Sequence, residues 1–289
     1  MKNNRNTFLD LFTGCGGLSE GFYKQDFKSL SHVEIDQYSC ESIRQRLKFY
    51  NYPDNERNVL EKDINDIDTI ELIKSHINNV DVDVIVGGPP CQSFSSLGRA
   101  KDKDSMRNDP RNFLFESYKR ILDLIKPKIF VFENVTGLLS AKLGNQKTIN
   151  VILEKLSENY NLINESSEMV LNSCDYGVPQ IRKRVFLIGL RKDVNYKIEN
   201  IYENIVKTHY LPCSKPEDTV GKIKYITVKD AIGDLPSLKP GEGEKIIDHS
   251  IKNWNNYLKK IRDKNDVFLL DHVVRTHNYL DRQRFKEMS

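Results

Sequence analysis

A cysteine in an unusual setting follows a strand-like run in the first half of the chain. Residues 82–86 are typical of a buried strand and lead into Gly-Gly-Pro-Pro-Cys-Gln-Ser-Phe-Ser, in which the cysteine is Cys91. Most free cysteines are buried structural thiols. Here the two prolines restrict the backbone before Cys91, and the polar residues after it disfavour burial of its thiol group. The pattern therefore favours a nucleophilic thiol at the carboxyl end of a strand, where open α/β sheets bind ligands.

Two further motifs carry charged groups that can assist such a nucleophile. Glu133 follows the apolar strand 128–132, which we expect beside the Cys91 strand, so that both side chains reach one crevice. A partly desolvated carboxyl group there can share a proton with a ring nitrogen. Arg182 and Arg184 alternate on an extended segment and could clamp a carbonyl oxygen or a phosphate. Taken singly, Glu133 could equally cap a turn, and the arginines could form a solvated basic edge.

Glycines and acidic residues in the first 65 positions indicate a cofactor site. Gly14, Gly16 and Gly17 follow the strand 7–12 and let the backbone approach a ligand at a helix N-terminus, although an ordinary tight turn looks the same. Glu34 closes the second strand, where a carboxylate can hold ribose hydroxyl groups. Asp63 could accept a hydrogen bond from an adenine amino group, or simply cap the helix that follows it.

Alternating strand and helix patterns connect these motifs up to about residue 193. This alternation predicts an α/β fold, with a parallel sheet and helices on both of its faces. Beyond residue 193 the periodicity weakens, so we predict a first domain over 1–193 and a second region over 194–289. The predicted helices span residues 18–25, 38–50, 68–77 and 112–125, and a second strand spans 31–35.

Composition excludes several classes of protein. The 289 residues carry a net charge of +3, which excludes a histone-like protein but allows a local basic cleft. No apolar run could span a bilayer, and the first residues do not resemble a signal peptide. The five scattered cysteines lack C-x-x-C spacing, so neither a zinc site nor a disulfide framework is indicated. We expect a cytoplasmic protein with no metal and no membrane partner.

In their order along the chain, these motifs resemble the cytosine-5 DNA methyltransferase family. D-L-F-x-G-C-G-G, P-P-C-Q-S-F-S, F-E-N-V and Q-x-R-x-R all occur between about residues 7 and 191. The resemblance implies a class I methyltransferase fold that depends on S-adenosylmethionine (AdoMet). Such a Rossmann-like fold has a mostly parallel sheet with one reversed strand, and here it would be followed by the start of a smaller target-recognition region.

The resemblance also implies roles for individual residues. Cys91 would be the nucleophile, Glu133 the proton-sharing carboxylate, and Arg182 and Arg184 the active-site arginines. Residues 95–111 look like the loop that closes over duplex DNA, the implied partner. The residues implied to bind AdoMet are Phe12, Gly14, Gly16, Glu34, Ile35, Asp63, Ile64, Pro90 and Leu114.

The implied reaction explains why these residue types occur together. Attack of the Cys91 thiolate on carbon 6 of cytosine makes carbon 5 nucleophilic enough to take the methyl group of AdoMet. Glu133 would bind nitrogen 3 and the exocyclic amine as charge builds, and Arg184 would hold the carbonyl oxygen. Loss of the carbon 5 proton and expulsion of Cys91 complete the cycle. These atoms are out of reach inside a duplex, so the base must be flipped out.

The family pattern is incomplete towards the end of the sequence. Residues 227–236 resemble the segment that leads into the recognition region in one large branch of the family, and residues 272–285 resemble the stretch just after it. An Arg-containing helix and a Gly-Asn-(Ser/Ala)-Val segment, which follow in the family, are not found. We therefore expect the catalytic part of a split or truncated restriction-modification methyltransferase, with an exposed apolar face and weak activity until a complementing chain is added. The resemblance also implies a bacterial or phage source, and it implies as a further partner the cognate restriction endonuclease that often acts on the same site.

Two other interpretations remain open at this point. A transfer RNA methyltransferase of the same family usually has Pro-Phe-Thr after P-P-C-Q, where this chain has Ser93-Phe94-Ser95. A module that binds DNA or a partner without turnover would not need the intact Cys91 and Glu133, although an incomplete family pattern is compatible with it.

Overall fold

The computed structural model describes residues 5–52, 57–90, 114–143, 145–212, 214–249, 254–263, 265 and 267–288. Contacts divide the chain into two compact units. The first comprises Met1–Asn172 and Lys183–Val206, and the second comprises Ser173–Arg182 and Lys207–Ser289.

The first unit alternates strands and helices, as the sequence pattern predicts. Its strands, over the described residues, are β1 (Thr7–Leu11), β2 (Lys28–Glu34), β3 (Val59–Glu61), β4 (Val84–Gly87), β5 (Ile129–Val135), β6 (Lys142–Leu143), β7 (Gln146–Lys147), β8 (Tyr160–Leu162), β9 (Val170–Asn172) and β10 (Lys183–Arg191). Its helices there are α1 (Ser19–Lys24), α2 (Gln37–Phe49), α3 (Ile67–Ile77), α4 (Leu114–Ile125), α5 (Thr148–Leu156) and α6 (Ile198–Glu203).

A central sheet organises this unit. In the described part of the chain it has eight strands in the order β3-β2-β1-β4-β5-β10-β8, with β9 also paired to β10. The strands from β3 to β5 run parallel, whereas β10 is antiparallel to β5, β8 and β9. The predicted fold class, a mostly parallel sheet with one reversed strand, is therefore confirmed.

Helices cover both faces of the sheet because alternate residues of β1 enter different cores. Phe8 packs in one cluster with Ile43 of α2. Its neighbour Leu9 packs in another cluster with Ile73 of α3 and Tyr118 of α4. Side chains alternate across a strand, so these two clusters lie on opposite faces of the sheet.

Three strands differ from the sequence prediction. β2 begins at Lys28 rather than at residue 31, and no sequence pattern predicts the three-residue β3. β5 continues to Val135 rather than ending at residue 132, because β10 pairs along its whole length. Glu133 therefore lies inside a strand, opposite Phe186, and not beyond a strand end as predicted.

The division between the two units falls later in the chain than the predicted boundary at residue 193. Tyr202 of α6 is buried in the core of the first unit. Its hydroxyl group accepts a hydrogen bond from the Ile188 N–H at 2.9 Å and donates one to the Phe186 carbonyl at 3.1 Å. These contacts tie residues 194–206 to the first unit.

The second unit has short elements around two small sheets. In its described residues these are β11 (His209–Tyr210), β12 (Ile223–Lys224), β13 (Gly243–Asp248) and β14 (Phe268–Val273), with helices α7 (Pro216–Thr219), α8 (Val228–Ile232), α9 (Leu258–Ile261) and α10 (Tyr279–Met288). β11 pairs with β12 in parallel, and β13 with β14 antiparallel.

Asp175 connects the segment before β10 to the rest of the second unit. It accepts hydrogen bonds from the Lys207 ammonium group at 2.9 Å and from the Tyr225 hydroxyl group. Its backbone carbonyl accepts from the Thr208 N–H at 3.0 Å. Although burial favours the neutral acid, the hydrogen bonds from Tyr225 and Lys207 hold the pKa of Asp175 below its usual value. The charged carboxylate therefore anchors the residues that lead to Arg182.

Candidate active site

A cavity of about 490 Å³ opens at the carboxyl ends of the parallel strands in the first unit. The chain passes from β1 to β2 and β3 on one side, and β4 lies on the other side of β1. Such a reversal of strand order creates the crevice in which open α/β sheets bind ligands. Its lining, within the described residues, consists of Phe12, Val33, Glu34, Ile35, Lys62, Asp63, Ile64, Asn65, Gly88, Pro90 and Leu114.

Most residues predicted to bind a cofactor lie in this lining, and Gly14 and Gly16 are the exceptions. Sequence reasoning missed Val33, Lys62, Asn65 and Gly88. Each of these four lies within two positions of a residue that was predicted, and their own types carry no distinctive signal.

The loop after β1 has a backbone that few residues tolerate. Phe12, at the cavity wall, has a φ of 58°, and Gly14 and Gly16 have φ values of 55° and 83°. Phe12 lacks the freedom of glycine, so the surrounding structure must hold it in this strained conformation. A Cβ atom on Gly16 would lie 2.5 Å from Cδ1 of Ile43. Gly16 therefore packs closely against α2 and is not among the lining residues, and its role in binding a cofactor stays a prediction.

Glu34 joins the loop after β1 to the end of β2. Its Oε2 atom accepts a hydrogen bond from the Gly14 N–H at 2.8 Å. Its Oε1 atom accepts from the N–H groups of Ile35 and Asp36 at 2.8 and 2.9 Å. A carboxylate has about four lone-pair sites, so this one can still accept from a ligand hydroxyl group.

If the cavity is the cofactor site that the resemblance implies, Glu34→Gln should weaken the binding of S-adenosylhomocysteine (AdoHcy), the product form of AdoMet, by about 10- to 100-fold. The amide keeps one acceptor oxygen, but its NH₂ group faces backbone donors that a carboxylate satisfies. Isothermal titration calorimetry measures the effect, with Glu41→Gln on the exposed side of α2 as the control. Equal affinities of the two variants would contradict a role of Glu34 in the cofactor site.

Helix α4 supports the opposite wall of the cavity. Ser117 donates a hydrogen bond to Oδ1 of Asn65, and Arg120 donates to the Ile64 carbonyl at 2.9 Å. Asp63 caps the following turn, because its Oδ1 atom accepts from the Asn65 N–H at 2.9 Å. The N-cap residue of the following helix α3 is Asp66, so Asp63 lines the cavity and closes a turn but does not cap that helix.

Glu133 and Arg184 form an ion pair beside the cavity. The Arg184 Nε and Glu133 Oε1 atoms are 3.1 Å apart, and each side chain is about three-quarters buried. A Cβ atom on Gly88 would lie 2.9 Å from Glu133 Oε2. Gly88 also lines the cavity, so this carboxylate lies directly behind one cavity wall.

Asn134 fixes the backbone that leads to Cys91. Its side-chain amide is buried and donates a hydrogen bond to the Pro89 carbonyl at 3.1 Å. Pro89 is two positions before Cys91, so the residue next to Glu133 orients the start of the cysteine motif.

Three predicted features stay predictions. Cys91 and the predicted loop at residues 95–111 lie outside the described residues. Arg182 belongs to the second unit and precedes β10, which begins at Lys183, so only Arg184 of the two arginines lies on the strand.

Neither a metal cluster nor a membrane span is found in the described ranges. No three or more His, Cys, Asp or Glu side chains there are grouped so that they could hold a metal ion. No helix in the same ranges is both long enough and apolar enough to cross a membrane.

Comparisons with known proteins agree with this architecture. A solved structure described as a DNA modification methyltransferase encoded within a prophage (E. coli) covers 97% of this chain with a TM-score of 0.68; at 23% identity it supports the fold alone. The Type II methyltransferase M.Bpa9945I of Bacillus paralicheniformis is 37% identical over 82% of this chain. M.AquIA of a Picosynechococcus species is 34% identical over 80% of it.

The chain is shorter than most of these relatives. It spans 62% of M.Bpa9945I, 57% of M.DdeI of Desulfomicrobium norvegicum and 74% of the prophage protein, but 90% of M.AquIA. The family model for C-5 cytosine-specific DNA methylases matches residues 6–286, which is nearly the whole sequence. With this match, the ordered motifs and the shared fold, the chain belongs to the C-5 cytosine-specific DNA methylase family.

Proposed function

We propose that this chain is the catalytic part of an enzyme that transfers a methyl group from AdoMet to carbon 5 of a flipped-out cytosine in DNA. One observation carries the proposal. Gly88 lines the cavity on one side and abuts the Glu133 carboxylate on the other, and Glu133 is paired with Arg184. A cofactor site and a charged pair that can hold a pyrimidine ring are thus separated by a single glycine.

The residues of the cavity fit AdoMet. A volume of about 490 Å³ is within the usual range of small-molecule sites. Glu34 retains capacity to accept from ribose hydroxyl groups, and Asp63 and Asn65 provide polar atoms for an adenine edge. Phe12 and Ile35 provide apolar surface for the ring. Bound there, AdoMet would supply an electrophilic methyl group.

The residues of the chain itself would bind and activate the base. Glu133 would hold nitrogen 3 and the exocyclic amine of cytosine, and Arg184 would hold both Glu133 and the carbonyl oxygen. Asn134, through Pro89, would orient the segment that carries Cys91, the proposed nucleophile for carbon 6. Arg182 would be a further active-site arginine.

We also propose that full activity needs a further portion of the family sequence, supplied by another chain or by a longer form of this one. Two observations support this. The relatives M.Bpa9945I and M.DdeI extend well beyond the matched part. In the second unit, Ile246 on β13 lies opposite Leu270 on β14, and both side chains are more than half exposed, as is Phe268 on the same face. A two-stranded sheet with a bare apolar face is marginally stable in water.

The proposal is tested by transfer of labelled methyl groups from AdoMet to mixed-sequence duplex DNA. We expect weak transfer by this chain alone and a strong increase when the C-terminal portion of M.Bpa9945I is added as a separate chain. Cys91→Ser should abolish the transfer. Full activity of the isolated chain would contradict the need for a further portion, and activity of Cys91→Ser would contradict the covalent mechanism.

Two further experiments distinguish DNA methylation from RNA methylation and from DNA binding without turnover. Duplex DNA that contains 5-fluorocytosine should form a stable covalent adduct with the wild-type protein and none with Cys91→Ser. Transfer to RNA in preference to DNA would instead indicate a transfer RNA methyltransferase. Tight DNA binding without adduct or transfer in the complemented protein would indicate a binding module.

A further inference from the structure

Four buried polar side chains form one hydrogen-bonded group beneath the loop that follows β1. Asp10 lies on β1, His32 on β2, and Ser19 and Tyr23 one turn apart on α1. Asp10, Ser19 and His32 are fully buried, and Tyr23 is nearly so. None of the four lines the cavity, so the proposed chemistry does not use them directly.

The hydrogen bonds of this group join α1 to two neighbouring strands. Asp10 and His32 are paired across β1 and β2. Ser19 donates to Oδ2 of Asp10, and its hydroxyl oxygen is 3.4 Å from Nδ1 of His32. The Tyr23 hydroxyl is 2.8 Å from Nε2 of His32. The six-residue helix is thus held to the sheet by side-chain hydrogen bonds at two successive turns.

Burying these four side chains costs folding free energy, because polar groups lose their hydrogen bonds to water when they are buried. Burial raises the pKa of Asp10 to about 7 and lowers the pKa of His32 to about 3. Oδ1 of Asp10 is buried and has no hydrogen-bond partner among the described residues. Apolar residues would pack α1 against the sheet without this cost, so the directional bonds need another reason.

We find that reason in the residues two positions after Asp10 and two positions after His32. Phe12 follows Asp10 and Glu34 follows His32, and both line the cavity. The loop between β1 and α1 begins after Leu11, one residue beyond Asp10, and ends before Ser19, so the bond between Asp10 and Ser19 ties the two sides of the loop together. This loop carries Gly14, whose N–H donates to the Glu34 carboxylate.

We propose that Ser19, Tyr23 and His32, together with Asp10, are positioning residues for the cofactor. By fixing the position of α1 on β1 and β2, they hold the loop in the strained conformation in which Gly14 donates to Glu34 and Phe12 lines the cavity. This inference rests on the proposed function, because it takes the cavity to be the AdoMet site.

Tyr23→Phe is the cleanest test, since it removes one hydroxyl group and keeps the ring that packs edge-on against Phe8. Tyr202→Phe is the matched control. Its hydroxyl is also buried and hydrogen-bonded, but to the backbone of β10. Both variants should lower the midpoint of thermal unfolding by similar amounts. Only Tyr23→Phe should weaken AdoHcy binding, by about 3- to 10-fold at a temperature where both are folded.

Two further measurements separate positioning from general loss of stability. In the complemented enzyme, Tyr23→Phe should raise the KM for AdoMet and leave kcat within about twofold. Ser19→Ala should weaken AdoHcy binding as Tyr23→Phe does, which provides a second variant if either protein fails to fold. In the Glu34→Gln background, Tyr23→Phe should reduce AdoHcy affinity by a smaller factor than it does in the wild-type protein, because both substitutions act on the same loop.

The outcomes distinguish failure of the positioning role from failure of the proposed function. If the wild-type protein binds AdoHcy and Tyr23→Phe binds it equally well, the positioning role is overturned and the proposed function stands. If Tyr202→Phe weakens binding as much as Tyr23→Phe, the effect is general destabilisation, and the positioning role is again overturned. If the wild-type protein does not bind AdoHcy, both proposals fail.

Discussion

Glu133→Gln should lower the rate of methyl transfer by about two to four orders of magnitude, the usual contribution of a group that exchanges protons with a reacting base. Glutamine is close in size to glutamate, and its amide oxygen can still accept from the Arg184 Nε atom that now lies 3.1 Å from Oε1. The variant should therefore fold and bind AdoHcy as the wild type does. What it loses is the ability to pair with a ring nitrogen as charge builds there.

The measurement is a single-turnover rate on duplex DNA in the complemented enzyme, where binding and product release do not limit the signal. Glu158→Gln is the matched control, because Glu158 also pairs with a basic side chain, Lys119, but at the surface. A rate for Glu133→Gln within tenfold of the control would exclude Glu133 from the chemistry.

The position of Glu133 shows which features of a strand can be predicted from the sequence and which cannot. The apolar run before it predicts a strand beside the cysteine strand, and β4 and β5 are indeed neighbours. The end of that strand is not predictable locally, because β10, which begins fifty positions after Glu133, extends the pairing to Val135. Strand ends that depend on a distant partner leave no signal in the strand itself.

The candidate cofactor site shows the same limit in another form. Phe12 and Glu34 lie at the ends of strands that the sequence predicts, Asp63 lies before a predicted helix, and all three line the cavity. Asp10, Ser19 and His32 are inside strands and a helix, so their types read as ordinary core or capping residues. Only the register of β1 on β2 reveals that Asp10 and His32 are neighbours.

Substitution of the two adjacent glycines at the end of β4 should have different effects. One glycine should matter for stability and the other for catalysis. A Cβ atom on Gly87 would lie 2.7 Å from the Leu11 carbonyl oxygen and 2.9 Å from the Tyr118 ring. Neither can yield, since Leu11 belongs to the neighbouring strand and Tyr118 is fully buried. Gly87→Ala should therefore cost about 2–3 kcal/mol of unfolding free energy.

The contacts of an added methyl group at Gly88 are different. Its three nearest neighbours would all be atoms of Glu133, with Oε2 the closest at 2.9 Å. A side-chain terminus can move, so Gly88→Ala should fold nearly as well as the wild type. It should, however, displace the carboxylate, and a shift of about 1 Å at a reacting group can cost 100-fold in rate. We expect kcat to fall about 10- to 100-fold, with AdoHcy affinity within about threefold because the methyl group points towards Glu133.

Urea unfolding and single-turnover transfer, measured on both variants, distinguish these two effects. Gly87→Ala should lower the unfolding midpoint, and its folded fraction should retain much of its activity. In the Glu133→Gln background, Gly88→Ala should add little, because the carboxylate that it displaces is already gone. Full additivity of Gly88→Ala with Glu133→Gln would mean that Gly88 acts on something other than Glu133. In that case the adjacency of the cavity and the Glu133–Arg184 pair would no longer support the proposed function.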